Sequence, residues 1–373
     1  MLVDNFVPDQ DVRVVSSGID TLYIGYDVNV NKEILSLLEE KKAEAKEKEG
    51  KFEGVQVNLG DSVFTMRPVG VARYAYVLKN TDLSLWISSK NGMPYPNVYV
   101  CFRSLFLSSS SAEAAVDFVR TLLEENLGLI TSEKVSRVDM CADFSGVSLT
   151  LEDMTKFVTS AGRRDIHVVK KDQVSGFSFG NGSIVARVYD KTLEIKKHKK
   201  DYMYELWDGV EKGETVWRVE FQLRREMLNE CSVESFDSFA DKSGSIWKYL
   251  TEDWLSMREF DNENTTRRTP TEFWENVQGV SSFKGKVSGK VRETRRKASI
   301  THLIKMIKGC ITSIGGILSL EKSLVTLERL LGWIIRKVKE ELAQSEDEVF
   351  VEVKSRLEFA REINRKAVSY GLS

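Results

Sequence analysis

The sequence predicts an α+β fold: antiparallel-rich sheets with helices on one face forming an open-faced domain, followed by a small C-terminal helical domain. Three observations predict it. Up to Leu107, short stretches of β-branched and aromatic residues alternate with Gly, Asn and Asp turns. Three later stretches alternate polar and apolar side chains with a period of two, the pattern of a half-buried strand. Beyond Ile300 the apolar residues recur at three-and-four spacing, which belongs to amphipathic helices.

Taken in order, strands are expected at Val14–Tyr26, Gly54–Leu59, Ser62–Arg67, Arg73–Leu78, Ser84–Ser88 and Asn97–Leu107. Asn31–Lys51 interrupts them as a helical insertion, with Leu35, Leu37 and Leu38 followed by Glu and Lys that support a solvated helix through i,i+4 pairs. Ser110-Ser111-Ala112-Glu113 reads as a capping box opening a helix to about Asn126, with Gly128 just past its end. Thr150-Leu151-Glu152-Asp153 reads as a second N-cap, with a helix to about Ala161. Strands at His167–Lys171 and Phe177–Phe179 follow, then a charged helix over about Leu193–Trp207. Asn262–Thr271, which contains Pro270, and the Gly/Ser/Lys-rich Ser281–Ser288 mark a linker. Leu320, Leu324, Leu327, Leu330, Leu331, Ile334 and Ile335, then Val351, Val353, Leu357, Ala360 and Ile363, give the helical tail. The expected organisation is a β-rich region at 1–107 with its insertion at 31–51, an α+β region at 108–260 continuous with it, a polar and basic linker at 261–299, and helices at 300–373.

The chain has 373 residues, 42% hydrophobic and 29% charged, enough for two or three cores in an ordinary soluble composition. No apolar run reaches the roughly 18 residues a membrane span requires, so no membrane partner is expected. Met1–Asp11 lacks a basic-then-apolar leader, and Cys101, Cys141, Cys231 and Cys310 form no CxxC pair. Both point to a cytoplasmic protein with reduced thiols rather than a disulfide frame or zinc site. The formal charge of -2 conceals an asymmetry. Lys284, Lys286, Lys290, Arg292, Arg295, Arg296, Lys297, Lys305 and Lys308 crowd one stretch against a single Glu293, which points to DNA contact over a merely solvated segment.

The three alternating stretches carry the chemistry. Val135–Phe144 puts Arg137, Asp139 and Asp143 on one side, with Val138, Met140, Ala142 and Phe144 opposite. Ile184–Lys191 sets Arg187, Tyr189 and Lys191 against Ile184, Ala186 and Val188. Val216–Arg224 sets Arg218, Glu220, Gln222 and Arg224 against Trp217, Val219, Phe221 and Leu223. If they share a sheet, one face holds two Asp, one Glu, one Tyr and several cations. That is the inventory of metal-assisted phosphoryl transfer with a tyrosine nucleophile. A phenol titrates near pH 10, so such a nucleophile needs positive charge or metal nearby, and Arg187 and Lys191 each lie about 7 Å along the strand. Asp139 and Asp143, four apart, are separated by roughly 13 Å, so either one acts through water or a bulge shortens the gap. All-carboxylate ligation favours Mg²⁺ or Mn²⁺. The plainer readings are an amphipathic strand tyrosine at Tyr189, and Asp139 and Glu220 held in surface ion pairs with Arg137 or Arg218. Tyr202 and Tyr204 offer a second nucleophile. Trp207, Trp217, Trp247 and Trp254 read as core residues, and Lys196–Lys200 around His198 as a solvated helix end or a phosphate contact. His167, His198 and His302 form no His-apolar-His pair, which disfavours a His-based nuclease.

The run Ile184-Val185-Ala186-Arg187-Val188-Tyr189-Asp190-Lys191-Thr192-Leu193-Glu194, with Arg137-Val138-Asp139-Met140-Cys141-Ala142-Asp143 and Trp217-Arg218-Val219-Glu220-Phe221, resembles the replication initiation factor family. These are the Rep_trans-type rolling-circle initiators of plasmids, filamentous phages and integrative elements. Ser17-Gly18-Ile19-Asp20-Thr21-Leu22-Tyr23 resembles the family's opening strand, and Thr269-Pro270-Thr271-Glu272-Phe273-Trp274 its segment after the catalytic domain, so the likeness spans about residues 14–280. Gly176-Phe177-Ser178-Phe179-Gly180-Asn181-Gly182-Ser183 departs from the family's Tyr-Ile/Phe-Gly-Ser-Arg run by lacking its Arg.

The resemblance implies a site-specific nicking-closing endonuclease, whose catalytic region is 108–260. Tyr189 would join the 5′ phosphate and leave a 3′ hydroxyl primer, with Arg187 and Lys191 assisting. Asp139, Asp143 and Glu220 would hold Mg²⁺ or Mn²⁺. Arg218 would meet origin DNA, duplex and single-stranded and carrying a hairpin; outside the span of the resemblance, the charge of Lys284, Lys286, Lys290, Arg292, Arg295 and Arg296 is what points to duplex contact there. It further implies a homodimer in the bacterial cytoplasm, with a host replicative-type helicase and polymerase as partners. The alternative is a non-catalytic origin-binding or regulatory protein on the same scaffold.

Overall fold

Period-two alternation repeated along the chain builds a single dominant sheet. A computed structural model describes residues 11–48, 54–170, 173–198, 202–207, 209–211, 213–283, 311 and 327–342. It divides into two compact units, Met1–Arg295 and Arg296–Ser373. In the first, the elements run β1 (Arg13–Val28), α1 (Lys32–Glu47), β2 (Val55–Leu59), β3 (Ser62–Met66), β4 (Tyr76–Lys79), β5 (Leu83–Ile87), β6 (Val98–Phe102), α2 (Ser104–Ser109), α3 (Ala112–Asn126) and β7 (Ile130–Ser145). They continue as β8 (Phe157–Thr159), β9 (Arg164–Lys170), β10 (Gln173–Phe179), β11 (Ile184–Asp190), α4 (Lys191–His198), α5 (Met203–Leu206) and β12 (Trp217–Arg224). Then come α6 (Arg225–Glu230), α7 (Phe236–Ala240), α8 (Ser243–Tyr249), β13 (Leu255–Met257) and α9 (Glu272–Gln278).

The fold is α+β. Eleven strands form one sheet in the order β2-β3-β4-β5-β6-β1-β7-β12-β11-β10-β9, every pair antiparallel. β8 and β13 pair separately. The two 16-residue strands, β1 and β7, lie side by side and join the early hairpins to the later strands. The regions expected at 1–107 and 108–260 therefore share one sheet.

One face of the sheet is apolar and covered. Leu22, Ile24, Val138, Met140, Phe144, Val219 and Phe221 point into a core that also holds Val116, Val119 and Leu123 of α3, Trp247 of α8 and Trp274 of α9. Each large apolar side chain buried there contributes about 1.5–3 kcal/mol. The buried indoles are satisfied: Trp247 donates to the Val277 carbonyl at 2.9 Å and Trp274 to the Thr251 carbonyl at 2.8 Å. Because α9 belongs to this core, the stretch expected as a linker begins with structured chain.

Side-chain caps start α3, α7 and α9. Ser111, rather than Ser110, caps α3, its Oγ accepting from the Ala114 N–H at 3.1 Å. Two readings differ from the structure. The Asp153 carboxylate accepts from the Thr150 N–H at 2.8 Å, the return half of a capping box, but the Thr150 hydroxyl donates to Asp153 instead of capping, and only a 3₁₀ turn follows over Glu152–Lys156. Phe157 must reach the core, where its ring lies 4.9 Å from Phe179 and 5.4 Å from Phe177, and the β-branched Val158 and Thr159 suit an extended chain. The charged helix expected over Leu193–Trp207 divides into α4 and α5. Asp190 starts α4 early by accepting from the Leu193 N–H at 3.1 Å.

In the second unit the described helix is α10 (Leu327–Leu342), where Leu330 is buried. The expected helix through Val351–Ile363 and the basic run from Lys284 to Lys308 lie outside the described residues. Among the described residues no helix is long and apolar enough to cross a membrane.

Candidate active site

The three polar-faced strands are adjacent, with β12 between β7 and β11. Register fixes a grid. Arg218 of β12 stands opposite Asp143 on one side and Tyr189 on the other. Glu220 stands between Cys141 and Arg187, and Gln222 stands opposite Asp139. Tyr189 is thus diagonal to Glu220 and level with Asp143 two strands away, while Asp139 lies two strands away and four residues further along.

At the Asp143 end every charge is closed off. Arg218 grips Asp143 with a fork, Nε to Oδ1 at 2.6 Å and Nη2 to Oδ2 at 2.7 Å, and the Trp207 indole donates to Oδ2 at 2.8 Å. Asp143 and Arg218 are 1% and 3% exposed. Val15, Ile195, Met203, Trp207 and Val216 form a small apolar cluster at this end, so α4 and α5 cover the polar face here. Arg218 also donates through Nη1 to Asp20 Oδ1 at 2.5 Å. Burial disfavours its charge, but Asp143 holds the guanidinium well above its ordinary value. Arg218, expected to touch DNA, is instead an internal cation. Asp143, expected as a metal ligand, has both oxygens committed to protein donors.

Asp20 was not singled out from the sequence. It is the extra residue of a bulge in β1, between the pairs Ile19–Met140 and Thr21–Asp139. The bulge turns its carboxylate toward Arg218 and the Ser104 hydroxyl, which donates at 3.0 Å. Burial would raise its pKa, but Arg218, Lys191 and Ser104 bring it below the ordinary carboxylate value. The β7–β12 register runs unbroken from Arg137 to Phe144, so no bulge there draws Asp139 and Asp143 together.

Around Tyr189 the pairing is shared rather than closed. Its hydroxyl donates to Glu220 Oε2 at 3.0 Å and receives Lys191 Nζ at 3.3 Å. Arg187 Nη1 donates to Glu220 Oε1 at 3.0 Å, and its Nη2 reaches Gln222 Oε1 at 3.1 Å. Lys191 is also bound to Glu194. Burial, followed by the Glu220 charge, lifts the Tyr189 phenol well above its ordinary pKa. Burial, with Asp20 and Asp139 nearby, raises Glu220 as well. Tyr189 is therefore a neutral phenol hydrogen-bonded to a basic carboxylate, with an ammonium against the same oxygen. Both Tyr189 and Arg187 keep part of their surface open.

Gly176 makes room for the tyrosine. It is paired with Tyr189 across β10 and β11, and a Cβ added there would stand 2.7 Å from Tyr189 Cβ and 2.9 Å from the Val188 carbonyl oxygen. A glycine inside a strand marks close approach, a signal that the expected strand at Phe177–Phe179 stopped one residue short of using. Asp139 is 2% exposed and bound by a fork from Arg137, Nε to Oδ1 at 2.8 Å and Nη2 to Oδ2 at 2.5 Å. Burial raises its carboxyl against the pull of Arg137. Among the described residues no three His, Cys, Asp or Glu side chains gather as a metal cage. Tyr202 and Tyr204 lie with the Trp207 cluster, the Tyr204 and Trp207 rings 5.3 Å apart. His167 shares a 2.8 Å hydrogen bond with Ser178 and stays outside the site.

No protein-family model matches the chain, and no curated protein matches it. Among solved structures, a rolling circle replication initiator protein from Geobacillus stearothermophilus aligns at 13% identity with a TM-score of 0.41, over 75% of this chain and 99% of that one.

Proposed function

We propose that this protein is a rolling-circle DNA replication initiator that nicks and later rejoins one strand at its origin through Tyr189. One observation carries the reading: the Tyr189 hydroxyl is bound to Glu220 at 3.0 Å with Lys191 at 3.3 Å from the same oxygen. The motif resemblance at Ile184–Glu194, Arg137–Asp143 and Trp217–Phe221 supports it.

Tyr189 Oη attacks the scissile phosphorus as Glu220 takes its proton. The bond from phosphorus to the 3′ oxygen breaks, and that oxygen takes a proton from solvent to become the primer hydroxyl. The 5′ phosphate stays esterified to Tyr189. Lys191 stabilises charge developing on the phenol oxygen, and Arg187, partly open, offers N–H donors to the phosphate. Rejoining is the reverse, with the 3′ hydroxyl attacking the phosphotyrosine.

Mg²⁺ or Mn²⁺ is part of the proposal, and the donor set fits it at two residues. Asp139 and Glu220 are hard oxygen donors, and Asp139 and Asp20 add repulsion to the burial that raises Glu220, a repulsion a cation relieves. Magnesium commonly takes one or two carboxylates and completes its shell with substrate phosphate and water. When bound it polarises the scissile phosphate. Asp143 does not fit, because its oxygens are held by Arg218 and Trp207, both buried, whereas the Arg137 fork on Asp139 is partly open to water and can give way. The proposed partners are origin DNA with a hairpin, a second copy of the chain, and the host helicase and polymerase; Lys284–Arg296 would contact duplex phosphates.

Supercoiled plasmid carrying the cognate origin, incubated with the protein and Mg²⁺ or Mn²⁺, tests this. The expected product is an open circle with protein on its 5′ end after SDS treatment. EDTA should lower the yield at least about a hundredfold, and equal yield in EDTA removes the metal. Specific origin binding with neither nick nor adduct would leave a non-catalytic binder.

A further inference from the structure

The polar face does not stop at Arg137; it continues across β1, β6 and β5 as an aromatic strip. Tyr23 pairs with Arg137 across β1 and β7, and the guanidinium lies 5.2 Å from its ring centre. The Tyr99 ring is 5.9 Å from Tyr23, and Trp86 stacks on Tyr99 at 5.4 Å, inclined by 25°. Tyr74 packs 5.8 Å from Tyr99 and 6.0 Å from both Trp86 and Tyr95. Arg73 closes the far end, 4.4 Å over the Tyr95 ring. Tyr74 is buried beneath the others, whereas Tyr23, Trp86, Tyr95 and Tyr99 keep part of their surface open.

These rings are not the core. The covered face of the same strands carries Leu22, Ile24, Leu85, Ile87, Val98 and Val100. A contiguous partly open aromatic surface costs solvation and marks a binding face. Its charge is positive. Lys79, Arg103 and Arg137 all bear electrostatically on the Cys101 thiol in the middle of the strip, and Arg73 and Arg103 are exposed. Rings with π-faces interleaved with cations suit bases and phosphates of an unpaired strand, because every base can stack and every phosphate is an anion. The strip is also continuous with the site: β11, which carries Tyr189, is four strand steps from β6, about 20 Å.

We propose that the strip formed by Tyr23, Trp86, Tyr95 and Tyr99, with Arg73, Arg103 and Arg137, binds single-stranded DNA leading to or from Tyr189. The strand's being DNA at the nick rests on the function proposed above; the stacking itself does not. A protein partner is the competing occupant, and it predicts no affinity for a bare oligonucleotide.

The test uses the full-length protein and fluorescein-labelled dT30, read by anisotropy over a range of salt. Wild type should bind. Trp86→Ala should bind about tenfold more weakly, while Trp86→Phe, which keeps a ring, should stay within about twofold. The pair Arg73→Ala with Tyr95→Ala, at the rim, should also weaken binding and lower the log–log salt slope by roughly one unit. If Trp86→Ala loses its cooperative thermal transition, the rim pair decides. The proposal is overturned if wild type does not bind dT30, or if the folded variants bind as wild type does. Adduct formation on origin DNA, measured in parallel, separates the two ideas: loss of dT30 binding without any wild-type adduct defeats only the nicking function, and normal dT30 binding with a wild-type adduct defeats only the strip.

Discussion

Asp143 and Glu220 occupy neighbouring strands of one sheet face, both buried, yet their oxygens serve different ends. Asp143 receives a two-pronged Arg218 and an indole, so its charge is matched by fixed donors and it is sealed from solvent at 1% exposed. Glu220 divides its oxygens between Arg187 and the Tyr189 hydroxyl, and repulsion from Asp20 and Asp139 helps hold its proton affinity high. Removing one partner of a buried pair strands the other, which makes such a pair structurally critical. A carboxylate bound to a neutral phenol can take its proton, which makes it chemically available. The lesson is that acidic residues on one polar face are sorted by what already satisfies them.

Substitutions break the comparison in order of size. Asp143→Ala leaves Arg218 buried with Asp20 as its remaining carboxylate, so unfolding in denaturant should show a loss of about 3–5 kcal/mol. A loss under about 1 kcal/mol would place Asp143 with the exposed pairs instead. Glu220→Gln should cost at least about a hundredfold in cleavage, or roughly 2.7 kcal/mol of barrier, with little change in stability because an amide oxygen still accepts from Tyr189.

The same variant sharpens the pH dependence. Burial, Asp20 and Asp139 raise Glu220, and the base must be ionised. Cleavage should therefore be retained above its folded pKa and fall as pH drops through it, and more Mg²⁺, by relieving the repulsion, should move that fall to lower pH. Rate–pH profiles of wild type and Glu220→Gln check this, and the variant should lack that limb. Gly176→Ala forces a methyl against Tyr189 Cβ and the Val188 carbonyl, so it should cost about 1–3 kcal/mol in thermal unfolding and slow cleavage as well. The smallest effect is expected at Asp139→Asn. Stability should change by about 1 kcal/mol or less, because Arg137 is partly open to water, while the Mg²⁺ concentration for half-maximal cleavage should rise about tenfold.

The sheet was largely legible because alternation at Val135–Phe144, Ile184–Asp190 and Trp217–Arg224 records which side chains face together. Their adjacency was not, since strand order depends on pairings between residues far apart in the chain. The helix expected after Thr150 failed because only the Asp153 half of its capping box forms and Phe157 is needed in the core. At the site, Tyr189, Lys191, Arg187 and Glu220 were found by facing direction, and the structure brings them together. Asp20 was missed because a bulge turns it, and a bulge leaves no mark in the alternation. That Arg218 is internal depends on the α5 segment bringing Trp207 over Asp143, a long-range fact that spacing along β12 does not encode.

The most direct test of the central claim is to locate the covalent bond. Full-length protein reacted with a cognate single-stranded oligonucleotide and Mn²⁺ should be digested with trypsin and nuclease, and the nucleotide-bearing peptide sequenced by mass spectrometry. The phosphotyrosyl nucleotide should lie on Tyr189, and Tyr189→Phe, folded and still binding DNA, should yield none. An adduct on Tyr202 or Tyr204, or an undiminished adduct in Tyr189→Phe, would contradict the account.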